Sequence, residues 1–169
     1  EYPVKSIFVD DYYIGQTEVT QELWEAVMGN NPSNNKAPQK PVENVSWNDC
    51  QNFIRKLNKL TGDNFRLLTE VEWEYAAYGL NTEDGIYDQT NTYPWSGSQL
   101  RTFDKGLEGD FVANFLRGRG DPIGVQINGT LTVPVWTFKP NGYGLYNMAG
   151  NVNEWVKDVF RASVLNNEE

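Results

Sequence analysis

The chain contains no histidine and a single cysteine, Cys50. These two absences remove most nucleophile, general-base and transition-metal arrangements at once, because neither a Ser-His nor a Cys-His pair can be assembled from its residues. One cysteine also makes no internal disulfide, so pairing gives no reading of the redox compartment. Basic residues are few: 14 Lys and Arg stand against 23 Asp and Glu, a formal charge of −9. Phosphate contacts need a basic face that this balance does not supply, so no nucleic-acid partner is expected, and the charge favours solubility and attraction of cations. No run approaches the roughly 20 apolar residues of a membrane span, and no signal peptide, internal repeat, phosphate loop or dinucleotide fingerprint is recognisable. The chain opens without Met, in what reads as the middle of a domain. We take residues 1–169 as one domain, truncated at both ends, so the missing address tag says nothing about where the protein lives.

What is present is aromatic and amide-rich. Six Trp, nine Tyr and eight Phe indicate an ordered interior, and 169 residues can bury a core without staples. Residues 4–9 and 12–19 mix β-branched and aromatic residues around Asp10-Asp11 and predict a hairpin. Thr20 caps a helix through Met28, closed by Gly29, and a polar loop punctuated by prolines follows to Pro41. Ser46 caps a second helix whose apolar stripe is Trp47, Cys50, Phe53, Ile54, Leu57 and Leu60, ended by Gly62. Cys50 on that stripe reads as a small buried hydrophobe rather than a reactive thiol. Thr69 and Glu72 form a capping box for a third helix over 69–78, stopped at Gly79. Glu70, Glu72 and Glu74 read as capping and dipole compensation in preference to acid–base catalysis. Beyond this, residues 80–140 lose periodicity, although YPW (93–95), FVANF (111–115) and TVPVWTF (132–138) suggest an irregular but packed surface. Arg117, Arg119 and Asp121 sit in a glycine-rich run that reads as a structural turn in preference to an anion site. Asn44-Val45-Ser46 and Asn128-Gly129-Thr130 fit the glycosylation sequon, which matters only in a secretory eukaryote.

The densest chemistry lies at 141–158, NGYGLYNMAGNVNEWVKD. Gly142, Gly144 and Gly150 permit positive φ or close backbone approach, and Asn141, Asn147, Asn151 and Asn153 can satisfy main-chain groups where no ladder exists. Tyr143, Tyr146 and Trp155 would pin the loop to a core. Its oxygen donors, Asn147 and Glu154 with intervening carbonyls, can wrap a hard cation such as calcium, and a hydrogen-bonded loop without metal explains them equally well.

Taken together, TEVTQELWEAVMG (17–29), PVENVSWNDCQNFIRKLN (41–58), FRLLTEVEWEYAA (65–77), YPW (93–95), ANF (113–115) and YGLYNMAGNVNEWVKD (143–158) resemble the formylglycine-generating enzyme, or sulfatase-modifying factor, domain family. The resemblance implies an α+β, C-type-lectin-like variant fold, low in regular secondary structure and, in the family's catalytic members, stabilised by calcium. Its first calcium site corresponds to Asn147, Gly150, Val152 and Glu154. The second begins at Asn114 and Phe115, with its other ligands expected near 125–133, where no acid aligns. The family's catalytic members bind copper through two cysteines well downstream of the GNVNEW block. Cys50 cannot stand in for that pair, so no catalytic residue is assigned and the chain is read as non-enzymatic.

A narrower similarity, carried by YPWSGSQLRTFDKGLEGDFVANFLRGRGD (93–121) and by VKDVFRA (156–162), is to the gliding-motility and type IX secretion lipoproteins of Bacteroidetes. It implies a structural component of the periplasm or outer membrane. Such a component would be held by a lipid anchor outside this chain, would partner other envelope or secretion-machinery proteins, and would belong to an oligomeric ring. Two alternatives stand beside it: a copper-dependent oxidase whose cysteines lie outside this chain, and a ligand-display C-type-lectin-like domain. If the domain is a scaffold, the stretch 93–146, with Arg117 and Arg119, is where its partner is expected to bind.

Overall fold

The computed structural model describes residues 8–78, 93–95, 99–115 and 131–158. Three helices carry the regular structure: α1 (Gln21–Met28), α2 (Trp47–Thr61) and α3 (Glu70–Tyr78). Each begins where a local cap dictates. Thr20 Oγ1 accepts the Leu23 amide at 3.2 Å, Ser46 and Asp49 exchange a reciprocal capping box, and Thr69 and Glu72 do the same at 2.8 and 3.3 Å. Glu72 is thus a capping residue, and the Arg66 guanidinium bonded to both its oxygens at 2.7 Å pulls its carboxyl down to about 2. Asp158 adds a second anchor at the same helix start by accepting the Glu70 amide at 2.7 Å. α1 and α2 end on glycines in the left-handed region, Gly29 at φ 82° and Gly62 at φ 80°. The expected stop of α3 at Gly79 lies outside the described residues, as do the Arg117, Arg119 and Asp121 turn and the Asn128 sequon.

The expected N-terminal hairpin is corrected. Residues 4–7 lie outside the described residues, and 8–19 form no strand. Among the described residues pairing is confined to two isolated antiparallel bridges, Thr20 with Pro41 and Arg101 with Phe111. The reason is visible in where the main chain of this segment bonds. Gln16 O accepts from Tyr146 N and Val19 O from Val42 N, both at 2.9 Å, while the Tyr12 hydroxyl donates to Glu72 O at 2.6 Å. These groups bond to three separate places, two loops and α3, so the segment is tied down by single bonds and no ladder forms. The expectation of little regular structure is met in these residues; strands are not seen in them.

Two apolar centres hold the helices. Trp24 of α1 and Phe53 of α2 stack with ring centroids 4.9 Å apart and 4° between planes, both nearly inaccessible. Ala76 and Ala77 of α3 close against Leu145 and Met148, with Ile14 and Trp73 packed around them. The second centre brings the 141–158 loop onto α3 through Leu145 and Met148, whereas Tyr143 and Trp155, expected to pin the loop to a core, are exposed. The α2 stripe is buried at Phe53 only; Leu60 is 69% exposed, and Trp47 turns its indole N–H to the Val156 carbonyl at 2.9 Å. Cys50, expected to be a small buried hydrophobe, is half-buried on α2, where desolvation first and the neighbouring Asp49 second push its thiol pKa up.

Candidate calcium loop

The 141–158 loop is built from side-chain amides. Asn141 places Nδ2 on the Ala76 and Ala77 carbonyls at 2.8 and 3.3 Å and accepts the Tyr143 and Leu145 amides at Oδ1, satisfying α3 carbonyls and turning the chain together. Gly144, Asn147, Gly150 and Asn151 have φ of 80°, 53°, 89° and 60°. Asparagine tolerates this region better than other side-chain-bearing residues, which is why Gly and Asn alternate here. At the far end Trp155 donates to Val45 O at 3.0 Å, fixing the loop to the turn before α2. Asn153, expected to satisfy main chain, is exposed and makes no such bond among the described residues.

The residues expected to ligate a cation fall in two neighbouring groups. In the first, Asn147 sends Nδ2 to Glu18 Oε2 at 3.0 Å and Val135 O at 2.8 Å, leaving Oδ1 without a donor among the described residues. Glu154 accepts the Trp73 indole N–H at Oε2, 2.7 Å away. The Gly150 and Val152 carbonyls accept no hydrogen bond from described residues. In the second group Asn114 is 4% exposed and its Oδ1 has no partner among the described residues, an orphaned buried acceptor beside the likewise unbonded carbonyl of Phe115. Native structures seldom leave such an oxygen bare, and a hard cation is one group that would satisfy it. The two groups touch: Asn151 N donates to Asn114 O at 2.7 Å, and a Cβ on Gly150 would lie 2.2 Å from that same oxygen. The first group holds oxygens of the type a hard cation takes, and in the second the described residues supply Asn114 and Phe115. No cluster of three His, Cys, Asp or Glu exists among the described residues, so amide and carbonyl oxygens would make up most of either shell.

Two participants carry no sequence signal that assigns them to the site. Glu18 falls in an expected strand and Trp73 on a helix face; both reach the loop from far along the chain, and only folding shows it. Their presence shapes the electrostatics. Glu154 exposes part of its surface, but its carboxylate sits among protein atoms. Desolvation, reinforced by the negative charge of Glu18 and opposed by the Trp73 bond, pushes its carboxyl up to about 7. Glu18 is raised as well, by burial before all else. A carboxyl whose folded pKa exceeds its unfolded one binds more protons when folded. Its stabilising contribution is therefore full below the unfolded value of 4.5 and is lost as pH rises through about 7. In chelator, the urea midpoint should fall between about pH 5 and about pH 8, and Glu154→Gln should flatten the change. A midpoint rising over that interval would contradict the assignment.

A loop-rich domain with three capped helices and an amide-built loop defines the class of a fold in which irregular backbone is held by side-chain amides. The chain belongs to the Sulfatase-modifying factor enzyme 1-like domain family, matched over residues 1–168. It is 31% identical to the Chaperone protein LppX of Paenibacillus barcinonensis over 91% of this chain and 64% of that protein. To the formylglycine-generating enzyme of Streptomyces coelicolor it is 40% identical over 73% of this chain and 33% of the enzyme. The inactive C-alpha-formylglycine-generating enzyme 2 of Bos taurus is 32% identical over 86% of this chain and 42% of its own length. Among solved structures, Treponema denticola variable protein 1 superposes with a TM-score of 0.65 at 31% identity, covering 91% of this chain and 64% of the other. The chain therefore spans a third to two thirds of these proteins, and the family holds both enzymes and inactive members.

Proposed function

We propose that this chain is a non-enzymatic interaction domain of a bacterial envelope protein, of the gliding-motility and type IX secretion lipoprotein kind. In this reading it carries the C-type-lectin-like variant fold and is stabilised by calcium at Asn147, Gly150, Val152 and Glu154 and at Asn114 and Phe115. Bound there, calcium supplies no reaction; it neutralises Glu154 and satisfies oxygens that the backbone leaves open. The carrying observation is the thiol inventory. A copper centre of the family's kind takes two cysteines, and this chain offers one, half-buried on α2 with a raised pKa, and no histidine. Partners would be other envelope or secretion proteins in a ring. They would meet the 93–146 stretch, where Phe103 and Trp136 are exposed on a braced frame and supply aromatic contact area.

The 40% identity to the Streptomyces enzyme favours a second reading, a copper-dependent oxidase with its cysteines outside this chain. The likeness to the Treponema variable protein favours a ligand-display domain. One experiment separates these from the proposal. The full-length protein is cross-linked in its source cells and, purified, is incubated with copper(I), oxygen and a cysteine-containing peptide. Envelope partners recovered with an unmodified peptide support the scaffold. Oxidation of the peptide cysteine to an aldehyde overturns it in favour of the enzyme, and cross-links confined to a small set of external ligands overturn it in favour of display.

A further inference from the structure

Neither ligand set includes Glu18, although its carboxylate lies between them. The residue is half-buried just ahead of α1, and both of its oxygens are used: Oε2 accepts Asn147 Nδ2 at 3.0 Å and Oε1 accepts Asn151 Nδ2 at 2.8 Å. A carboxylate only accepts, so the two asparagines present their nitrogens to it and turn their oxygens away, an orientation that Val135 O on Asn147 Nδ2 at 2.8 Å and Val133 O on Asn151 Nδ2 at 3.3 Å share in holding. The freed Asn147 Oδ1 belongs to the first group. Asn151 Oδ1 instead accepts Asn114 Nδ2 at 3.2 Å and Val133 N at 2.9 Å. Asn114 Nδ2 is held a second time by Leu131 O at 2.9 Å, which leaves its Oδ1 buried and, among the described residues, unpartnered in the second group. The bonding thus runs without a gap from Asn147 through Glu18 and Asn151 to Asn114.

We propose that Glu18 is a positioning residue that couples the two calcium sites, its carboxylate setting the orientation of Asn147 directly and of Asn114 through Asn151. This rests on the calcium reading given above. Outer hydrogen-bond partners of metal ligands typically contribute ten- to a hundredfold in metal affinity, because they fix which atom faces the ion. A network shared by two sites makes occupancy of one hold the ligands of the other, and such coupling is reciprocal. A glutamine at position 18 keeps the shape but brings an N–H2 group against one of the two asparagine nitrogens, so one asparagine must rotate. Asn151→Gly cuts the link to Asn114 without changing charge, and it suits the φ of 60° at that position.

The test uses calcium alone, its binding followed by isothermal calorimetry on the whole protein. Terbium luminescence reports the first site separately, since the Trp73 indole bonds Glu154 at 2.7 Å and can sensitise an ion held there. The parent should bind two ions cooperatively. Glu18→Gln should weaken calcium binding about tenfold, and Asn151→Gly should leave two sites that fill independently, with first-site affinity reduced about fivefold. Glu25→Gln, on the exposed side of α1, removes the same charge and should change neither. If Glu18→Gln does not fold, Asn151→Gly decides alone. A parent that binds no calcium overturns the calcium reading and the coupling with it. Binding of one ion only, two independent sites in the parent, or variants within twofold of the parent overturns the coupling and leaves the first site standing. A lower melting temperature of Glu18→Gln in chelator with unchanged affinity would assign Glu18 a purely structural role and overturn the proposal.

Discussion

Gly150→Ala should destabilise the domain by about 4 kcal/mol or more, among the largest effects any single methyl can have. The added Cβ would lie 2.2 Å from Asn114 O and 2.9 Å from Asn114 C, and both are backbone atoms that cannot swing aside. The backbone at Gly150 is also at φ 89°, where a side chain is strained before it meets any neighbour. Gly62→Ala separates the two causes. That glycine has φ 80°, and a methyl added there would meet nothing within 4 Å, so only the conformational cost of about 1–2 kcal/mol should appear. Urea denaturation of both variants reads the difference directly. Equal losses would mean that the Asn151 N to Asn114 O contact at 2.7 Å, which brings the two loops together, is not formed in solution.

The second large effect is expected at Gln21, the first residue of α1, which is 1% exposed. Its Nε2 donates to the Asn35 and Pro41 carbonyls, each at 3.1 Å, and its Oε1 accepts from Asn31 Nδ2 at 2.9 Å and Ala37 N at 3.1 Å. One side chain thereby folds the whole proline-punctuated loop back onto the helix start. Gln21→Ala leaves four buried or half-buried groups without partners and opens a void, so a loss of about 3 kcal/mol is expected. Gln39→Ala serves as the reference. Gln39 is exposed and, among the described residues, its side chain bonds only the exposed Glu22 carboxylate, so its removal should stay within about 0.5 kcal/mol. Similar unfolding midpoints for the two variants would show that the Gln21 network is not closed.

Gln21 also shows where reading a chain stops. In sequence it is a polar residue after a helix cap, indistinguishable from Gln39, and nothing local marks it for burial. Its partners at 31, 35, 37 and 41 are loop groups whose positions depend on the loop having already closed. The hairpin expected at 4–9 and 12–19 fails for a related reason. Alternation and β-branching state only that a segment suits a half-buried extended backbone, and a strand also needs a neighbour to pair with. Here Val42 and Tyr146 take single bonds in its place.

The helices are legible because their signals are short-range. Thr20 bonds Leu23, Ser46 bonds Asp49, Thr69 bonds Glu72, and Gly29 and Gly62 bond Glu25 and Asn58, each within about one turn, so no tertiary knowledge is needed to place them. The loop at 141–158 is legible for the same reason: alternating Gly and Asn accommodate the positive φ found at Gly144, Asn147, Gly150 and Asn151. Sequence by itself therefore determined three capped helices, an amide-built loop, the absence of paired thiols and the family to which these belong. The tertiary structure alone decided that Glu18 and Trp73 enter the loop, across separations of 129 and 81 residues, and that Asn114 keeps a buried oxygen with no partner among the described residues. Those contacts depend on distance in space, and only closure of the chain brings such remote positions within the roughly three ångströms that a hydrogen bond requires.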